Sequence, residues 1–85
     1  MSKKQQAQKN LELSVSLADF IAKHPKLSKI VISGASVVPF SMSDEKLNKE
    51  NDKLVEELLE EGKKVVKAQE TKNHITPWQF SQVSV

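Results

Sequence analysis

Residues 35–70 read ASVVPF SMSDEKLNKE NDKLVEELLE EGKKVVKAQE, and the order of patterns in this stretch decides the fold. It opens on a short apolar run, Val37, Val38 and Phe40, which predicts a strand over Ala35 to Ser41. Pro39 cannot donate to a ladder, so this strand belongs at the edge of its sheet. From Met42 to Glu61 the period changes. Leu47, Leu54, Val55, Leu58 and Leu59 recur at helical spacing, with Ser43 as the expected N-cap and Asp44 and Glu45 in the positive first turn. Gly62 supplies the left-handed stop, and Lys63 to Glu70 predicts a second strand centred on Val65 and Val66.

Strand, helix, strand is a βαβ unit: parallel strands joined by a right-handed crossover. Side chains alternate along a strand, so each adjacent valine pair sends one methyl-rich side chain to each face. Both faces therefore need cover. Either the two helices lie on opposite faces or a second subunit buries one of them.

Upstream, the pattern predicts a first helix from about Lys4 to Lys23. At about 100° per residue, Glu12, Ser16, Asp19 and Lys23 form one narrow polar stripe. The rest of that cylinder is apolar or small (Leu11, Leu13, Val15, Leu17, Phe20 and Ile21, with alanines), which predicts burial on several sides. Pro25 ends the helix. Ile30-Val31-Ile32 followed by Ser33-Gly34 fits either the first arm of a hairpin or a turn leading from helix to strand. Downstream, Trp78, Phe80, Val83 and Val85 predict a third strand in the 71–85 tail, with a phase slip after Phe80 that suggests a bulge or a late start. The reading is one α/β domain over residues 1–85: a helix-strand-helix-strand(-strand) chain, a short sheet packed by two helices, and a flexible polar N-terminus over residues 1–8.

Composition narrows the function. In 85 residues, 38% hydrophobic and 28% charged, a folded domain is expected, though one with a small core. With no cysteine, neither a disulfide nor a thiolate is available. Every basic residue is lysine, so the planar fork that reads guanine edges is missing, which argues against nucleic acid. Met1 to Gln8 lacks the apolar segment of a signal peptide and no run is long enough to span a bilayer, so the expectation is a cytoplasmic protein without a membrane partner.

The catalytic inventory is thin. His24 and His74 belong to no spaced ligand motif, and His24 is expected to bond a free carbonyl at the end of its helix. Ser33-Gly34-Ala35-Ser36 lacks the flanking glycines of a nucleophile elbow. Gly34 and Gly62 alone cannot build a phosphate loop or a dinucleotide fingerprint. No catalytic residue, metal ligand or cofactor is therefore assigned.

Four residues are candidates for an interface or ligand. Asn10 and Asn51 place amides on the apolar sides of their helices, where each must tie to a neighbour or orient a ligand. Trp78 and Phe80 are the aromatic anchors of the tail, to be weighed against simple core packing. Glu56, Glu57, Glu60 and Glu61 form an acidic helix face, either solvated or offered to a basic protein. Lys9-Asn10-Leu11, His24-Pro25-Lys26-Leu27, Gly34-Ala35, Asn48-Lys49-Glu50-Asn51 and Gly62-Lys63-Lys64-Val65-Val66 together resemble a family of short prokaryotic proteins known only as a domain of unknown function. That resemblance covers about Lys9 to Lys67 and implies helix, turn, strand, helix, strand, hence the turn reading of Ile30 to Ile32. Pro39 departs from its pattern, and it brings no activity. The expected function is a non-enzymatic interaction protein that forms a homodimer. The alternatives are a regulatory or antitoxin-like module binding a protein or nucleic acid, and a small-molecule-binding domain.

Overall fold

The computed structural model describes residues 1–27, 29 and 34–83. The turn and hairpin readings of Ile30 to Ile32 fall outside them, as does Val85. Helix α1 spans Lys3–Lys23, a short tight turn follows at Pro25–Leu27, and then come β1 at Ser36–Phe40, α2 at Glu45–Glu60, β2 at Val65–Glu70 and β3 at Trp78–Val83. The chain is a small α/β domain with a three-stranded mixed sheet in the order β1-β2-β3.

The βαβ pairing is as expected: β1 and β2 are parallel, with Ser36 beside Val65 and Phe40 beside Gln69. Strand β3 then folds back antiparallel to β2. Its register runs unbroken from Glu70–Trp78 to Val65–Val83, so the expected bulge is absent. The apparent slip has a simpler cause. Trp78 and Phe80 face one side of the sheet and Val83 the other, each side having its own core.

The two helices lie on opposite faces, which answers the demand of the valine pairs. On one face Val38, Phe40 and Val65 pack with Val55, Leu58 and Leu59 around α2. On the other Ala68 and Trp78 pack with Leu17, flanked by Leu13, Phe20, Ile21 and Val37. Burying each large side chain stabilises the fold by about 1.5–3 kcal/mol before entropy is subtracted.

The start of α1 is as expected and that of α2 is one residue later. Within the polar N-terminal segment Ser2 and Gln5 form a reciprocal capping box, and the helix begins at Lys3. At α2 the cap is Asp44 rather than Ser43, its Oδ1 accepting the Leu47 N–H at 3.1 Å. Ser43 is displaced because the Ser41 hydroxyl accepts the N–H groups of both Ser43 and Asp44 at 3.1 Å, which tightens the turn by one residue. The far end of α2 closes as a Schellman motif, with Gly62 at φ +78° and the Lys63 N–H on the Leu58 carbonyl.

Burial of α1 on several sides is the expectation that the structure overturns. Leu17 alone is fully buried, while Leu11 and Val15 remain 64% and 65% exposed. One arc of this helix packs on the sheet. A second apolar arc, about 150° round the cylinder, has nothing on it among the described residues.

Candidate functional site

The two asparagines meet each other. Asn51, fully buried on α2, donates from Nδ2 to Asn10 Oδ1 at 2.8 Å and to the Pro39 carbonyl at 2.9 Å. Its Oδ1 accepts from Asn10 Nδ2 at 2.9 Å and from Gln6 Nε2 at 3.0 Å. All four hydrogen-bonding sites of the Asn51 amide are used, so it has no capacity left to orient a ligand. Instead the pair locks α1, α2 and β1 together.

One turn earlier, Asn48 does the same for the end of β1. Its Oδ1 accepts the Ser41 N–H and its Nδ2 donates to the Ser41 carbonyl, both at 2.8 Å. The sequence reading passed over Asn48, because an amide beside a helix stripe looks solvated until its neighbour is known. Ser36 donates to the Lys64 carbonyl and so faces β2, which by alternation turns Pro39 and Ser41 to the outer side. Pro39 has no N–H to offer there, its carbonyl is held by Asn51, and both backbone groups of Ser41 are held by Asn48. Within the strand only Val37 keeps outward groups of its own, so the C-terminal half of this edge is closed.

Nearby, Lys9 Nζ meets Asp44 Oδ2 at 2.7 Å, tying α1 to the start of α2. That hydrogen bond, followed by the one from the Leu47 N–H, holds the Asp44 carboxyl below the usual carboxylate range. Glu70 Oε1 takes the Met42 N–H at 3.2 Å. The polar groups at the C-terminal ends of the parallel strands, where a fold of this class places small ligands, are thus engaged with one another.

The histidines approach one shallow hollow. His24, His74, Asp19 and Ser16 line a space of about 300 Å³ between the end of α1 and the 71–77 loop. Their polar atoms are committed elsewhere in two cases. His24 Nδ1 lies 2.9 Å from the Phe20 carbonyl and its ring stacks on Phe20, as expected for a helix end. Asp19 pairs with Lys23 at 3.1 Å. Among the described residues no group of three or more His, Cys, Asp or Glu side chains could hold a metal ion.

Strand β3 is different. Thr71 donates to the Pro77 carbonyl, which sets the alternation of the ladder: Gln79, Ser81 and Val83 turn their backbone groups to β2, and Trp78, Phe80 and Gln82 turn theirs outward. Among the described residues no element pairs with that outer side. The strand is six residues long, WQFSQV, with no charge, proline or bulge. Trp78 itself is 4% exposed and belongs to the core, whereas Phe80 is half-buried, with Gln79, Ser81 and Gln82 exposed.

Beside this edge runs an open apolar groove of about 540 Å³, formed by Phe20, Pro25, Ile75, Trp78 and Phe80. Ile75 stands 84% exposed at its rim. No helix of the described residues is long and apolar enough to cross a membrane. Comparison with protein-family models, with curated proteins and with solved structures found no match, so the site is read from this chain alone.

Proposed function

We propose that this chain is a non-enzymatic interaction protein that self-associates as a homodimer. The observation that carries the reading is the open edge of β3. Exposed strand edges are templates for pairing, and proteins blunt them with charge, proline, bulges or a covering element. This sheet applies such devices to β1 and none to β3. The uncovered arc of α1 adds support, since Leu11 and Val15 leave a further apolar stripe in solvent. A chain of this size gains most from covering such surfaces with a partner.

A module that captures a different protein is the second reading, favoured by the α1 stripe, which suits an apolar helix. Nucleic acid is disfavoured, because Glu56, Glu57 and Glu60 stand exposed along α2 and arginine is absent. Sedimentation from micromolar to millimolar concentration tests the leading reading. The expected result is a mass that rises to twice the monomer. A monomer throughout the range overturns it.

A further inference from the structure

Resting on that self-association, we infer that the occupant of the β3 edge is the β3 strand of a second copy, paired antiparallel about a two-fold axis at Phe80. The register follows from which groups point outward. Trp78, Phe80 and Gln82 offer free N–H and C=O groups, so the axis sets Phe80 opposite the partner's Phe80 and Trp78 opposite the partner's Gln82. Every outward donor in this set then meets a carbonyl.

The side chains agree with this register. On the α1 face the two Phe80 rings come together at the mouth of the groove formed by Phe20 and Ile75, an aromatic pair of the kind that stabilises cross-strand contacts. On the α2 face Gln79 lies opposite the partner's Ser81, two small or neutral polar groups that are exposed in one copy alone. The strand carries no charge, so no like charges oppose each other across the ladder.

Closure singles out a second copy over a foreign strand. The pairing makes one six-stranded sheet, in the order β1-β2-β3 and its mirror, whose two outer edges are both β1. On each of these Pro39 lacks an N–H and Asn48 and Asn51 hold the Pro39 carbonyl and the Ser41 groups, which leaves Val37 alone in the strand with outward groups, too short a stretch to template another strand. The contact between the β3 strands is isologous and so stops at two. Lysines rim the site: Lys26 at the groove, beside a Lys23 whose charge Asp19 offsets, and Lys29 and Lys64 beside Gln82. The two-fold brings these ends of the copies toward each other, so added salt tightens the dimer, whereas an acidic foreign segment would be held less tightly.

The absence of cysteine makes the test clean. Gln79 and the partner's Ser81 form a non-hydrogen-bonded pair with Cα atoms about 4.5 Å apart, within reach of a disulfide. Equal amounts of the single variants Gln79→Cys and Ser81→Cys are mixed under mild oxidation, and the mixed dimer is expected to dominate over either self-crosslinked species. In parallel, Gln82→Pro removes only an outward N–H. It is expected to keep the circular-dichroism spectrum and melting temperature of the monomer while weakening association about tenfold or more. If the protein sediments as a dimer but the mixed crosslink does not dominate, or Gln82→Pro folds and still dimerises at full strength, this register is wrong while self-association stands. A dimer loosened by salt also overturns it. A monomer at every concentration removes both.

Discussion

The two edges of this sheet are made of the same kind of chain and treated in opposite ways. Strand β1 carries a proline whose missing N–H costs nothing on the outer side, and two amides of α2 take up the outward groups of Pro39 and Ser41, leaving only Val37 open within the strand. Strand β3 has six residues with no comparable protection. A buried edge must have its polar groups satisfied within the chain, because water cannot reach them. An exposed edge can leave them to solvent, or to another strand. The contrast separates an edge whose groups are largely met within the chain from one whose groups are left open among the described residues.

The closed edge can be broken most severely through its apolar anchor. Phe40, 1% exposed, fixes β1 against α2, and Phe40→Ala is expected to destabilise the domain by about 3–5 kcal/mol. Urea unfolding measures this, and a loss below about 1 kcal/mol would mean that the core is not where the packing places it. Next in size is Asn51→Ala. It strands the Pro39 carbonyl and the Asn10 amide, with an expected cost of about 1–3 kcal/mol in the same measurement. Asn10→Ala should be milder, since Asn51 keeps its bonds to Pro39 and Gln6.

A smaller effect sharpens the link between α1 and the start of α2. The folded pKa of Asp44 is depressed, so its pairing with Lys9 contributes stability above the unfolded carboxylate pKa of about 3.9. That contribution fades as pH falls below this value and through the depressed folded one. Lys9→Ala should flatten this acid limb of the melting temperature. An unchanged limb would show that the ion pair does not couple to folding. Smallest of all, Leu11→Ser with Val15→Ser should change monomer stability by no more than about 0.5 kcal/mol, because both side chains are already exposed. If the pair instead abolishes dimerisation while Gln82→Pro does not, the contact lies on α1 rather than on β3.

Much of this was legible along the chain because it depends on short spacings. The helix stripes, Gly62 as the stop, the edge position forced by Pro39 and the opposed valine pairs are local consequences of period and backbone chemistry. Ser43 and Asp44 show the limit of such reading: both suit an N-cap, and the Ser41 hydroxyl decided between them from a neighbouring turn. Asn10 and Asn51 were visible as polar residues on apolar faces. Their meeting was not, since it joins positions 41 apart.

Helix α1 is the instructive failure. Its composition said that most of the cylinder wants cover, and the monomer covers one arc. Composition reports what a helix can bury, while only the number and placement of its neighbours report what it does bury. The same division holds for the whole protein. Sequence alone determined the elements, their order and the demand that both sheet faces be covered, because these follow from residue periodicity. Tertiary structure decided that α1 and α2 take opposite faces, that the asparagines clamp β1, and that β3 is left at the rim, because strand order and side-chain pairing depend on contacts between residues far apart in the chain.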